Sequence, residues 1–398
     1  MKADSKLNRL TRFLRSIACY GVFGLSVLVA GCGGGGGGNS ESPSSSSAPP
    51  ASIPDSIPPT SEPPAACSVT QLEALEAKMD TRLSQADSEV DFSFAVERLD
   101  GRRYTFNRGG STLQTLYESA STSKLVAAVI VMRVVEQGYL SLADKPQDHI
   151  NAWPIGPGES MYDMNLAQLL SMTSGLTSDP PCVDSAASDF EACVIDIATT
   201  NASGIIPGEQ FVYVSAHYQV AGLMAVKARG LTSWNDLFTE FKAQTGLFAQ
   251  SSFDLPSVNN PLLGGGMRVT GDDYMDFLNA LQDGVILNVA SMNELLADHT
   301  ASAAMTYSPI VDGINGGPGL GEDWHYGFGL WHECRSAEFN CVPGSRVSSP
   351  GNFGFYPFWD RINGYTGTVI RQGAPGTMTK GIEIERLVRP EVEEWAAC

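Results

Sequence analysis

The sequence predicts an α+β fold, an α/β sandwich in which an antiparallel sheet is flanked by N- and C-terminal helices and interrupted by an inserted all-helical region. Three observations predict it. Alternating apolar positions form a hairpin early in the chain, strand-like runs return only near its end, and helical periodicity fills the interval.

In chain order, Leu72, Leu75, Met79 and Leu83 recur at helical spacing, predicting an amphipathic helix over Val69–Ser88. Phe92, Phe94 and Val96 then alternate with polar residues, and Asp100-Gly101 turns the chain into Tyr104 and Phe106, a hairpin signature. Leu125–Val135 is polar only at Arg133, so it reads as a helix buried on most sides, stopped at Gly138. Helical segments broken by loops run on to about Leu296. Strand-like stretches follow near Tyr326–Trp331, Val347–Phe358 and Gly364–Gln372, and a helix over Ile382–Trp395 closes the chain despite Pro390. No internal repeat is present.

The first 66 residues read as processing and tether. Lys2, Lys6, Arg9, Arg12 and Arg15 precede an apolar run, Ile17–Ala30, too short for the ~20 residues that a membrane span needs. Val29-Ala30-Gly31-Cys32 resembles the lipobox of bacterial lipoproteins, which implies cleavage after residue 31 and a diacylated Cys32. Residues 32–66, rich in Gly, Ser and Pro, have little apolar surface to bury and read as a tether. Residues 67–398 are long enough for one large domain.

Removing residues 1–31 takes away five basic groups and one acid, moving the formal charge from −19 to −23. So acidic a body argues against nucleic-acid binding, which needs a basic footprint. Once Cys19 leaves with the signal and Cys32 is lipidated, six cysteines remain. An even set in an exported chain suggests three disulfides. Spacing favours Cys182–Cys193 and Cys334–Cys341 as local loops, leaving Cys67–Cys398 to tie the ends together. The five histidines are scattered and no C-x-x-C occurs, so neither a metal nor a cofactor is expected.

Ser121 and Lys124 stand three residues apart at the mouth of the apolar helix, on one face and one turn from each other. A lysine there loses its charge readily because a buried ammonium is poorly solvated, and can then take a serine proton. Free N–H groups at a helix start can hold an oxyanion. Alone, the pair also fits an N-cap serine with a lysine snorkelling to solvent. Of eight lysines, however, only Lys124 has a serine three residues before it.

Further segments stand in order behind this pair. Leu166–Leu176 (LAQLLSMTSGL) is similar to an LLSHTSGL segment, with Met172 in place of histidine. Pro207–Tyr213 (PGEQFVY), followed by Ser215, is similar to PGxxFxYSN. Asn260–Gly266 (NPLLGGG) with Asp272, Asp273 and Tyr274 looks like AGG…DYxxF. Ser349-Pro350-Gly351 and Phe355–Arg361 sit where a Lys/His-x-Gly strand is expected. Together these resemble the serine β-lactamase and penicillin-binding-protein superfamily, most of all its class C β-lactamases, DD-peptidases and family VIII-type esterases.

The resemblance implies an acyl-enzyme on Ser121 with Lys124 as base, and Tyr213 as a proton shuttle that a nearby ammonium draws towards phenolate. It implies oxyanion donors in the backbone N–H groups of Ser121 and Asn352, and substrate contacts at Ser215, Ser349 and Gly351. Ser215 stands where asparagine is usual, yet its hydroxyl could still bond Lys124. Ser349 stands where a cation would hold a substrate carboxylate. These departures favour esters or uncharged amides over β-lactams. The alternatives are a D-Ala-D-Ala-type peptidase or weak β-lactamase, and a non-catalytic relative that binds cell-wall peptide. Trp324, Tyr326, Trp331, Tyr356 and Trp359 could line an acyl pocket, though core packing suits most of them better. A monomer is expected, touching the outer membrane through its lipid alone, at the periplasmic or the cell-surface face. No Gly-x-Ser-x-Gly elbow is present to support a Ser-His-Asp hydrolase.

Overall fold

The computed structural model describes residues 67–398, so the signal segment, Cys32 and the tether lie outside the described residues. Helix α1 (Val69–Ser84) starts at a capping box in which the Ser68 and Gln71 side chains each bond the other's backbone N–H. It buries Leu72, Leu75, Met79 and Leu83. It stops four residues short of Ser88. The hairpin is β1 (Ser93–Arg98) and β2 (Arg103–Asn107).

The three late strand-like stretches resolve into five strands: β3 (His325–Tyr326), β4 (Trp331–His332), β5 (Arg346–Ser348), β6 (Tyr356–Asp360) and β7 (Tyr365–Ile370). Two of the stretches each contain a turn that apolar content conceals. Gly327–Leu330 separates β3 from β4, with Gly329 at φ +75°, and residues 349–355 separate β5 from β6. Among the described residues these strands form one seven-stranded antiparallel sheet, in the order β3-β4-β5-β6-β7-β1-β2. The N-terminal hairpin thus pairs with the last strand, Phe94 opposite Val369.

Side chains alternate across β7. Tyr365 faces the C-terminal helix α7 (Met378–Ala397), while Thr366 donates to Asn279 of α6 (Gly271–Gln282) on the other face. On the first face α7 packs with α1. Trp395 Nε1 donates to Glu76, and the Cys67–Cys398 disulfide closes the pair. The second face carries the helical region: α2 (Ser123–Glu136), α3 (Phe190–Thr200), α4 (Ala216–Ala228), α5 (Trp234–Thr245) and α6. Small strands absent from the sequence reading punctuate it. Met267–Val269 pairs with residues 117–118 and 252–253, and Gln210–Val212 pairs in parallel with Ala304–Tyr307. Such short pairs carry no period of their own to read.

The disulfides are Cys67–Cys398, Cys182–Cys193 and Cys334–Cys341. Among the described residues no helix is long and apolar enough to cross a membrane, and no cluster of metal-ligating side chains occurs.

Between the sheet and α7 lies a buried charge network. Arg346 donates to Glu333, Asp360, Glu385 and the Tyr365 hydroxyl. Arg389 bonds Glu385 and Glu333, and Tyr356 donates to Glu333. Burial would raise the Glu333 carboxyl, but the two guanidiniums outweigh it and hold it at about 2. Its stabilising contribution is therefore complete above the ordinary carboxylate range near ~4.3 and is lost as pH falls through that range towards about 2. Glu333→Gln should cost about 3–5 kcal/mol at neutral pH because both arginines lose a counter-charge. Thermal melts of parent and variant should converge between about pH 4 and about pH 2; parallel curves would show that the network does not set acid stability.

Candidate active site

Ser121 lies in a 3-10 turn, residues 120–122, immediately before α2, rather than in the helix itself. Ala120 has φ +49°, a left-handed conformation costly for a residue with a Cβ, so the surroundings must hold the turn. They do so from several sides. Ser123 Oγ donates to the Ala120 carbonyl at 2.6 Å and accepts from Met267 N at 3.1 Å. The Tyr274 hydroxyl, from α6, donates to the Thr122 carbonyl at 2.9 Å. Gly351 approaches so closely that a Cβ there would lie 2.2 Å from the Ser119 carbonyl oxygen, and the Gly329 turn packs on the first turn of α2.

Lys124 is 2% exposed and points inward. Its Nζ donates to Ser121 Oγ at 2.9 Å and to the Gly264 carbonyl at 2.6 Å, and lies 4.6 Å from the Tyr213 ring centroid. Burial pushes its pKa down to about 7, against a weaker upward pull from the Asp179 carboxylate. Near neutral pH a large fraction of this amine is therefore a base. The snorkelling alternative does not describe this geometry.

Tyr213 follows strand 210–212, and its N–H donates to the Tyr307 carbonyl at 3.2 Å. Its ring stacks on Trp331 at 5.4 Å between centroids. The phenol is pushed upward, opposite to the phenolate expectation. Burial outweighs the hydrogen bonds to Ser121 and Trp331, and a lysine that readily loses its proton supplies little attraction. Tyr213 is thus a proton donor and relay, not a resident base. Behind it His217 is fully buried. Its Nε2 donates to the Val212 carbonyl at 3.0 Å, so Nδ1 accepts from Ser174 Oγ at 2.9 Å. The neutral imidazole, pushed down to about 3 by burial, pins the residue before Tyr213.

The other candidate residues are placed differently from one another. Ser215 caps α4 with its backbone, and its side chain packs against Gly264; Lys124 makes no bond to it. Ser349 is buried, its hydroxyl donating to the Gly329 carbonyl at 3.1 Å and more loosely to that of Ser121. Gly351 and Asn352 lie at the β5–β6 turn against the nucleophile's turn. Asn352 Oδ1 accepts from Gly376 N at 2.8 Å, which holds the segment. Trp324, Tyr326, Trp331, Tyr356 and Trp359 are all buried, so they belong to the core, with Trp331 also forming a wall of the Tyr213 niche.

Two participants escaped the sequence reading. Gly264 supplies the lysine's second acceptor, and its signal was the Gly264–Gly266 run. Asp179 accepts from Ser215 N at 3.0 Å and Ala216 N at 2.7 Å, capping α4; a lone loop aspartate gives no signal.

A beta-lactamase family model matches residues 94–385, most of the described chain. This chain belongs to the beta-lactamase family. The family's serine, lysine and tyrosine positions are occupied here, while its fold tolerates serine at 215 and 349. Among curated proteins it is 26% identical over 145 residues to penicillin-binding protein 4 of Amycolatopsis lactamdurans, covering 36% of this chain and 38% of that one. It is 27% identical over 113 residues to protein flp of Staphylococcus aureus, covering 28% of this chain and 22% of the relative. The chain thus spans well under half the length of these relatives. Three solved structures share the fold. EstCE1, a hydrolase with promiscuous acyltransferase activity, aligns at TM-score 0.62 and 18% identity, over 80% of this chain and 98% of that one. Simvastatin synthase from Aspergillus terreus aligns at 0.60 and 15%, over 82% and 98%. A penicillin-binding protein from Bacillus halodurans aligns at 0.57 and 17%, over 80% and 98%. Members of this family and fold act as beta-lactamase-type serine hydrolases, and this chain is one by family.

The Gly351 contact is with backbone, which cannot swing aside. Gly351→Ala should therefore destabilise the fold by about 1–3 kcal/mol, read as a lowered midpoint in denaturant; an unchanged midpoint would mean that the β5–β6 turn yields without cost.

Proposed function

We propose that this protein forms an acyl-enzyme on Ser121 and hydrolyses esters or amides that lack a carboxylate. The observation carrying this is the 2.9 Å bond between a buried Lys124 amine and Ser121 Oγ. Neutral Lys124 takes the hydroxyl proton as Oγ attacks the carbonyl carbon. The oxyanion is held by the N–H groups of Ser121 and Asn352. The proton passes through Lys124 and the Tyr213 phenol to the leaving alkoxide or amine as the scissile bond breaks. Water then attacks the acyl carbon, its proton returning through the same pair, and Ser121 is released.

The preference for substrates without an anion rests on position 349. A neutral hydroxyl already donating to two backbone carbonyls has little to offer a carboxylate. That tells against β-lactams and D-Ala-D-Ala ends, although both remain on the substrate panel.

A p-nitrophenyl ester of a short acid should give a burst of p-nitrophenol and a mass adduct on Ser121. Both should vanish in Ser121→Ala; an adduct-free parent, or a variant turning over as fast, would refute the route. The base must be neutral to act, so acylation should rise about tenfold per pH unit below about 7 and level off above it. A rate indifferent to pH between about 5 and about 8 would exclude Lys124 as the base.

We also propose export and anchoring through a lipidated Cys32. Three disulfides suit an oxidising compartment. Cys32→Ser should release the protein from the membrane fraction; unchanged partitioning would rule out the anchor.

A further inference from the structure

Beside Tyr213, on the side away from Lys124, stands a group of polar side chains that the proposed chemistry does not use. Asp179 is exposed, yet burial raises its carboxyl, the combination expected for an acid in a recess that solvent still reaches. Its two oxygens accept one backbone N–H each, from Ser215 and Ala216, which leaves further lone pairs free. Among the described residues no lysine or arginine forms an ion pair with it. Tyr307 is the second member. Its carbonyl receives the Tyr213 N–H, and its half-exposed phenol is raised by burial and by the charges of Asp312 and Asp179. Asp312 in turn accepts Ser308 N at 3.0 Å. Asp184 adds a further negative charge near Asp179. The positive group whose charge acts on Asp179 is Lys124, the amine that must be neutral to work.

A solvent-facing carboxylate beside an aromatic face, with no counter-ion, is the combination that binds ammonium groups. The surrounding field has the same sign, since the whole chain carries −19. Position 349, where a cation would select anions, is neutral.

We propose that Asp179 and Tyr307 form a specificity subsite for a positively charged ammonium group carried by the substrate of Ser121. This rests on the acyl-enzyme reading and narrows it, from substrates without an anion to substrates bearing a cation. The ammonium can belong to the acyl part or to the leaving group, and one substrate pair tests each. For the acyl side, p-nitrophenyl 4-(trimethylammonio)butanoate is compared with its uncharged isostere, p-nitrophenyl 5,5-dimethylhexanoate. For the leaving side, acetylthiocholine is compared with S-(3,3-dimethylbutyl) thioacetate.

In the parent, kcat/KM at about pH 8 should favour the cation about tenfold in one of the two pairs. Asp179→Asn should bring that ratio close to one, and Tyr307→Leu should lower it about threefold. Loss of the α4 cap alone would slow charged and neutral esters together and leave the ratio intact, so the ratio separates recognition from folding. Should Asp179→Asn fail to fold, salt gives the same reading in the parent. Raising sodium chloride from about 20 mM to about 500 mM should compress the ratio. Ratios near one in both pairs, or a preference that survives both Asp179→Asn and salt, would overturn the subsite. If the neutral esters still acylate Ser121, the acyl-enzyme reading stands without it. If no ester of either charge acylates Ser121, the broader reading fails and takes the subsite with it.

Discussion

An ammonium group with almost no water around it governs this molecule. Lys124 is enclosed by α2, the Gly264 backbone and the Tyr213 ring, and its two hydrogen-bond acceptors are one hydroxyl and one carbonyl. No carboxylate touches it. Burial uncompensated by an ion pair favours the neutral amine, and a neutral amine bonded to a serine hydroxyl is a base in position. Had an aspartate paired directly with it, the same burial would have produced a stable ion pair and no chemistry.

Much of the remaining structure can be understood as holding that arrangement. Ala120 sits in a left-handed conformation that its own Cβ disfavours, so the nucleophile's turn persists because Met267, Tyr274, Gly329 and Gly351 press on it from different elements. Those elements are far apart in the chain, from α6 to the β5–β6 turn, so the site forms only when the sheet has closed on the helical region. The buried arginine–glutamate network on the opposite face of the sheet contrasts with the lysine. There every charge has a partner, and the result is ionisation that persists to low pH. Two buried cationic systems in one fold therefore reach opposite charge states for the same physical reason.

The negative groups at the mouth add a further layer. Asp179 caps α4 and so helps to place Tyr213 and Ser215, while its charge lies near enough to Lys124 to oppose part of the burial effect. One carboxylate thereby bears on both the geometry and the electrostatics of the site. His217, neutral and sealed between Ser174 and Val212, fixes the backbone on the other side of the tyrosine without contributing charge.

Local pattern determined a good deal by itself. The buried character of Leu125–Val135 announces α2, the three-residue spacing announces a shared face for Ser121 and Lys124, and alternation announces the first hairpin, because each depends only on neighbours in the chain. Cysteine spacing likewise anticipated the disulfide partners. What pattern could not carry was anything set by close approach between distant segments. Single strand-like stretches proved to be pairs of strands, because a turn between apolar runs leaves the hydropathy unbroken. The Ser349 hydroxyl is committed to backbone carbonyls, Lys124 chooses Gly264 over Ser215, and the Tyr213 phenol is driven up by burial. Asp179 became visible only as a cap on a helix that begins 37 residues later in the chain. Residue types and spacings establish which groups exist, but desolvation and hydrogen-bond partners decide their protonation, and both are properties of the folded surroundings.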